Sequence, residues 1–298
     1  MERRDWALLV VLSVLWGGSF FFVDIALAGG MPPLMVVWLR VGLGAAVLAV
    51  ALAASGVPLP RGARVWSALA VMGLLNNAVP FTLFALAQGE IGGGLAAILN
   101  AMTPILTVLT LALFAGERQP GAGRIAGVVF GFLGVIVMMG GAGATGAIWA
   151  KIACLGAAAS YALASVWGRR FRVMGVAPLS VAFGQCLCAT GWLFLPLILG
   201  GDLQVGGFGA QVWLAVAGLA LLSTALGYVL FFRLLATAGA LNVGLVTFLI
   251  PVSAVALTVL VLDARLAPEH LAGAALIALG LIAIDGRAGP WLRRRLSI

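Results

Sequence analysis

The chain has 298 residues, 63% hydrophobic and 9% charged, with a formal net charge of +8 at neutral pH. No water-soluble domain of ordinary surface composition can be made from such a chain, so it reads as an integral membrane protein. A basic balance can point to nucleic acid, but these arginines sit in the short connections between apolar stretches, where membrane topology accounts for them without a nucleic-acid partner.

Ten windows of about 17 to 24 residues, each able to cross ~30 Å of hydrocarbon, fall at roughly 6–28, 34–54, 65–86, 91–114, 124–140, 147–168, 177–199, 210–233, 238–262 and 269–285. The first follows Met1-Glu2-Arg3-Arg4 and resembles a signal peptide. It runs past about 20 apolar positions without a credible small-residue cleavage site, and so reads as a retained span. Counted at ~1.5 Å per residue, Trp16 lies about 13 to 17 Å deep and Asp24 near the outer end. The second window opens after Gly29-Gly30-Met31-Pro32-Pro33 and holds Arg40 about 9 Å below its outer end. An ion pair with Asp24 would remove the cost of burying Arg40 alone. Such a pair would serve as a structural clasp or as an outer gate.

The third window carries Asn76, Asn77, Pro80 and Phe81, which i, i+4 spacing assigns to one face. The fourth carries Asn100 and Pro104. In the fifth, Gly127, Gly131 and Gly134 permit close helix contact. The sixth holds Tyr161 at mid-depth, and the eighth holds Ser223, Thr224, Gly227, Tyr228 and Phe231. Thr247 and Pro251 lie in the ninth window, and the tenth has Gly273, Ala274, Ala278 and Gly280 to face the fifth or a second subunit. Pro80, Pro104 and Pro251 each remove a backbone hydrogen bond, as hinges or as static kinks. Cys154, Cys186 and Cys188 form no CxxC pair and read as small packing residues.

The spans form one five-span unit written twice. A shift of 147 lays Trp66 on Trp213, Phe84 on Phe231, Gly92 on Gly239, Pro104 on Pro251 and Arg118 on Arg265. A shift of 145 lays Pro33 on Pro178 and Trp16 on Tyr161, and one of 146 lays Gly134 on Gly280 and Gly140 on Gly286. An odd-numbered repeat enters the membrane in two opposite orientations. The expected fold is therefore an all-α membrane protein of ten transmembrane helices, residues 1–143 and an inverted 144–298, around a central cavity. With the amino end inside, inner segments hold 14 arginines and outer segments only Lys151 and Arg265, which makes both termini cytoplasmic.

No charged residue falls at the middle of any window, so the cavity is expected to be uncharged. Trp16, Asn76, Asn77 and Asn100 share one depth with their counterparts Tyr161, Ser223, Thr224 and Thr247. Such amides and hydroxyls also tie neighbouring helices together. As a layer fed by six spans they describe a midplane binding site. A P-loop is excluded because the only lysine, Lys151, has the wrong neighbours, and a lone His270 offers neither a metal site nor a triad. No catalytic residue, metal or cofactor is expected.

Trp16-Gly17-Gly18-Ser19-Phe20, Trp38-Leu39-Arg40, Pro104 and Gly116-Glu117-Arg118, in that order and within a ten-span duplication, resemble the EamA-type exporters of the drug/metabolite transporter superfamily. Within that branch the chain is most similar to bacterial exporters of aromatic amino acids. It departs at Asp263-Ala264-Arg265, where the loop glutamate is not duplicated. The resemblance implies inner-membrane efflux of amino acids or related metabolites by alternating access, through a cavity lined by spans 1, 3, 4, 6, 8 and 9.

The expected activity is thus export of small amphipathic metabolites, in a monomer or weak homodimer whose other partner is the bilayer. Trp16, Phe81, Tyr161 and Tyr228 are the candidates for stacking, and Asn76, Asn77, Asn100, Thr224 and Thr247 for hydrogen bonding. The alternatives are a passive pore or facilitator and, for want of catalytic groups less favoured, a membrane-embedded enzyme.

Overall fold

The computed structural model describes residues 2–114, 122–139, 148–203, 206–238, 243, 246–262 and 268–285. All regular structure among these residues is helical. In chain order the elements are α1 (Arg3–Ala28), α2 (Pro33–Ser55), α3 (Ala63–Gly73), a first π segment (Leu74–Ala78), α4 (Val79–Asn100), α5 (Thr103–Phe114) and α6 (Ala122–Met139). The second series is α7 (Ile148–Val173), α8 (Pro178–Leu199), α9 (Ala210–Ala217), a second π segment (Gly218–Leu226), α10 (Gly227–Ala238), α11 (Val246–Leu262) and α12 (Pro268–Asp285).

Six continuous stretches among the described residues are long and apolar enough to cross a membrane: Arg3–Ala28, Pro33–Ser55, Ala63–Asn100, Ile148–Val173, Pro178–Leu199 and Ala210–Ala238. The other helices, α5, α6, α11 and α12, carry shorter apolar runs. The count differs from the ten windows partly because the third and fourth do not separate where expected. Helix continues through residues 87–91, and the break comes at Gly92, whose φ of 71° and ψ of 163° suit only a residue without a side chain. The fourth window is then divided again, by the turn at Ala101 and Met102.

The duplication shows in the helix boundaries. Helices α1 and α7 have 26 residues each and start 145 apart, at Arg3 and Ile148. Both α2 and α8 open on a proline, Pro33 and Pro178, a residue suited to the first helical position because its missing N–H has no partner there. Helices α6 and α12 have 18 residues each and start 146 apart, at Ala122 and Pro268. The first π segment, shifted by 147, lands at 221–225 inside the second. The motif Gly116-Glu117-Arg118, its counterpart Asp263-Ala264-Arg265, Gly140, Gly239, Gly286, the carboxy-terminal arginines and the boundary at 143 lie outside the described residues.

The two series interleave. Helix α1 packs on α11, α7 on α4 and α5, α2 on α8, and α6 on α12. Small residues set the closest crossings. A Cβ on Gly17 would collide with Ser253 and the backbone of Ala254, which holds α1 against α11. On Gly134 it would come 2.7 Å from the Gly273 carbonyl, and on Gly280 2.6 Å from that of Gly127. The small-residue faces of the fifth and tenth windows thus meet within one chain. Lys151, counted with the outer connections, instead lies in the first turn of α7 with 2% of its surface exposed.

Replacing Gly280 by Val should overpack the α6–α12 seam and cost about 1–3 kcal/mol. It should appear as a lowered melting temperature of detergent-purified protein. Gly191→Ala in α8, where an added Cβ meets nothing within 4 Å, should leave the melting temperature unchanged or raised.

Candidate functional site

A cavity of about 240 Å³ lies where the two series meet. Its walls come from α1 (Trp16, Ser19, Phe20, Val23), α2 (Val36, Val37, Arg40), the first π segment and α4 (Asn76, Phe81, Phe84, Ala85, Gln88, Asn100) and α5 (Thr103). The second series adds Tyr161 and Ser165 of α7, Ser223 and Thr224 of the second π segment, Tyr228 of α10, and Thr247 and Ile250 of α11. The volume suits a metabolite smaller than the drug-sized ligands that occupy about 300–1,000 Å³.

Irregular backbone brings the polar groups here. In the first π segment the Val79 amide donates to the Leu74 carbonyl, five residues back. The next donor would be residue 80, a proline, so the Leu75 carbonyl loses its helical partner. The Ser160 hydroxyl of α7 supplies the bond at 2.7 Å. A related contact joins the other halves, where the Ser223 hydroxyl donates to the Leu15 carbonyl of α1 at 2.7 Å. Wide turns of this kind recur at functional sites because they re-aim side chains. A second interruption exposes Asn100 and Thr103, the last residue of one helix and the first of the next, with Thr103 Oγ1 donating to Asn100 Oδ1 at 3.3 Å.

The aromatic walls obey the repeat. Trp16 packs on Phe231 with centroids 5.4 Å apart, and Tyr161 on Phe84 at 6.2 Å. Trp16 and Tyr161 are mates at offset 145, as Phe84 and Phe231 are at 147. Each pair joins the first helix of one series to the third span of the other.

Of the nine residues expected to bind substrate, Trp16, Asn76, Phe81, Asn100, Tyr161, Thr224, Tyr228 and Thr247 line the cavity. Asn77 does not. It is fully buried, and its Nδ2 donates to Tyr228 Oη at 3.1 Å, with a long contact of 3.9 Å to Cys186 Sγ. Adjacent residues of a helix point in different directions, so Asn76 meets the cavity while Asn77 is turned from it, although both reach Tyr228. Asn76 Nδ2 donates to Tyr228 Oη at 3.2 Å and to Gln185 Oε1 of α8 at 3.1 Å. Two amides thus fix the Tyr228 hydroxyl oxygen, whose own hydrogen remains to donate.

The expected ion pair is absent among the described residues, and the cavity is charged. Asp24 accepts from Gln88 Nε2 at 2.9 Å and from the Gly93 amide at 2.8 Å. The turn at Gly92 starts a fresh helical segment at Gly93, and a carboxylate is stabilised at such an amino end. Arg40 points the other way. Its Nε donates to Thr224 Oγ1 at 3.0 Å and its guanidinium lies 3.7 Å from the centre of the Phe81 ring, a cation–π contact. Depth counted along the helix misjudged Arg40 because the long side chain reaches inward from its own level.

The prolines sit apart from the lining. Pro80 and Pro251 stand inside helices, but Pro104 is the second residue of α5, where no helical bond is lost. The lining also includes Ser19, Phe20, Phe84, Gln88, Thr103 and Ser223, and part of this was legible. Trp16, Ser19, Phe20 and Val23 follow i, i+3, i+4, i+7, as do Phe81, Phe84, Ala85 and Gln88. Among the described residues no three His, Cys, Asp or Glu side chains converge as metal ligands would.

The profile of the EamA-like transporter family matches residues 5–140 and again residues 146–284. The uncharacterized transporter YvbV of Bacillus subtilis is 26% identical, over 96% of this chain and 93% of its own. A probable amino-acid metabolite efflux pump of Escherichia coli K12 is 28% identical, over 94% of both chains. The uncharacterized inner membrane transporter YedA of the same organism is 29% identical over 54% of this chain and 52% of its own. A solved crystal structure shares the fold over the full length of both chains, with a TM-score of 0.69 and 25% identity.

The separation of Asp24 from Arg40 is measurable. In a double-mutant cycle of Asp24→Asn and Arg40→Gln, thermal unfolding should give additive effects, with a coupling below about 0.5 kcal/mol. Asp24→Leu, which strips the acceptor from Gly93 and Gln88, should cost about 1–3 kcal/mol.

Proposed function

The chain belongs to the EamA-like transporter family, and from that premise we propose that it exports small amphipathic metabolites, amino acids including aromatic ones, across the bacterial inner membrane by alternating access. The observation that carries the proposal is the aromatic lining of a cavity that both repeats close, with Trp16 from the first series and Tyr161 and Tyr228 from the second, Tyr161 set against Phe84 and Trp16 backed by Phe231. Flat apolar faces on two sides and amide or hydroxyl groups between them suit a molecule with an aromatic or aliphatic body and a polar end. The similarity to a probable amino-acid metabolite efflux pump supports the same cargo.

In this reading the chain crosses the membrane ten times with both termini cytoplasmic, and residues 1–143 and 144–298 form inverted halves. Trp16, Phe81, Tyr161 and Tyr228 stack on the substrate, while Asn76, Asn100, Thr224 and Thr247 hydrogen-bond to it. Asn77 holds Tyr228 in place from behind. The broken fourth span resembles the discontinuous helices around which other transporters rock. The protein acts without a cofactor, as a monomer or weak homodimer.

Whole-cell efflux with a panel of amino acids tests the cargo, and phenylalanine and tryptophan should leave faster from cells that express the protein. Asn100→Ala should slow that efflux about three- to tenfold, the scale of one hydrogen bond, at unchanged membrane abundance. An equal loss of efflux and abundance would remove its binding role. In proteoliposomes, substrate on the far side should accelerate exchange, as in a carrier. Absence of acceleration would identify a pore.

A further inference from the structure

We propose that Arg40 is a carboxylate anchor: the cavity takes small molecules that carry a carboxylate on an apolar or aromatic body and rejects the same bodies without it. The inference rests on the transport reading above and narrows its cargo.

The state of the guanidinium is the first ground. Arg40 is 8% exposed and lies in the cavity wall, yet its one hydrogen bond among the described residues runs from Nε to Thr224. The terminal nitrogens are absent from the fully enclosed, unpartnered polar atoms, which are Trp38 Nε1, Asn77 Oδ1 and Thr82 Oγ1. They therefore reach the cavity surface. Four of the five N–H donors of the planar fork remain for a ligand. With Phe81 against one face and Thr224 fixing the edge, the plane is set in advance, and a carboxylate is the group whose two oxygens match it.

The repeat supplies the second ground. The mate of Arg40 at offset 145 is Gln185. Arg40 bonds to Thr224 of the second π segment, and Gln185 bonds to Asn76 of the first. In the other half a neutral amide at the matching helix position makes the link to the π segment, as acceptor from Asn76, next to the residue that the repeat lays on Thr224. The scaffold does not need a cation at this place, and an unneutralised buried charge is costly. Its presence on one side only gives a pseudo-symmetric cavity one positive end.

The third ground is what the walls lack. Among the described residues that line the cavity none is Asp or Glu, and Asp24 is occupied by Gly93 and Gln88. A ligand ammonium would meet hydroxyls, amides and ring faces but no opposite charge. The charge recognised is therefore the carboxylate, and an amino group is tolerated without being required.

Equilibrium dialysis of purified protein at neutral pH with radiolabelled 3-phenylpropionate, 3-phenylpropionamide and 2-phenylethylamine reads the selectivity directly. The acid should bind at least about tenfold tighter than the amide or the amine, the loss expected for a charge-assisted hydrogen bond. Arg40→Gln should abolish that ratio at normal membrane abundance, and Arg40→Lys should restore part of it. Equal binding of the three probes by the wild type, or an unchanged ratio in Arg40→Gln, would overturn the anchor. Should the glutamine variant fail to reach the membrane, the wild-type ratio decides alone. Phenylalanine counterflow in proteoliposomes separates the two readings. Selective binding without counterflow removes the export reading and keeps the anchor, and counterflow with unselective binding does the reverse.

Discussion

A helix that gives up regular hydrogen bonds in a lipid-facing protein must replace them from within the protein, and the centre of this molecule is arranged around that requirement. The Leu75 carbonyl, orphaned by the π segment and Pro80, takes the Ser160 hydroxyl. The Gly93 amide, released by the turn at Gly92, takes the Asp24 carboxylate. In the unbroken helix α1 the carbonyls of Ser13 and Leu15 accept further hydroxyls from Ser253 and Ser223, which tie it to α11 and the second π segment. Each substitute bond joins elements far apart in the chain. The interruptions that make room for a cavity are thus the links that hold its walls together.

Contacts around the cavity also come in pairs because the chain is duplicated, but the pairs are not equal. Trp16 faces Phe231 where Tyr161 faces Phe84, and Arg40 reaches Thr224 where Gln185 reaches Asn76. Aromatic faces are exchanged for aromatic faces, so the packing frame keeps its symmetry. At offset 145 a guanidinium stands opposite an amide, and there the electrostatic symmetry ends. A carrier built from inverted halves needs a frame that works in two states, whereas recognition needs a cavity with two different ends.

Depth and periodicity make most of the lining legible in the sequence. The stripe from Trp16 to Val23 and that from Phe81 to Gln88 follow helical spacing, and the repeat offsets carry them to Tyr161 and Tyr228. The structure departs from the sequence pattern at two places, each for a physical reason. Asn77 adjoins Asn76 and shares its Tyr228 partner, yet one step along the helix turns its side chain away from the cavity and toward Cys186. Asp24 and Arg40 look like a pair when only their depths are compared. Depth omits rotation about the helix axis, which sends one carboxylate to α4 and one guanidinium to the cavity.

By itself the sequence determined that this is an all-α membrane protein made of a unit used twice, and that aromatic, amide and hydroxyl side chains meet at its centre. Apolar length, helical period and a constant offset between rare residues are properties of the chain, and a bilayer leaves few other ways to use them. Tertiary structure decided where helix gives way to a π segment or a glycine turn, which of two adjacent amides meets the cavity, and that the cavity holds a cation. Those outcomes depend on which partner lies across the helix interface, and the Thr224 and Phe81 that receive Arg40 stand 184 and 41 residues further along the chain.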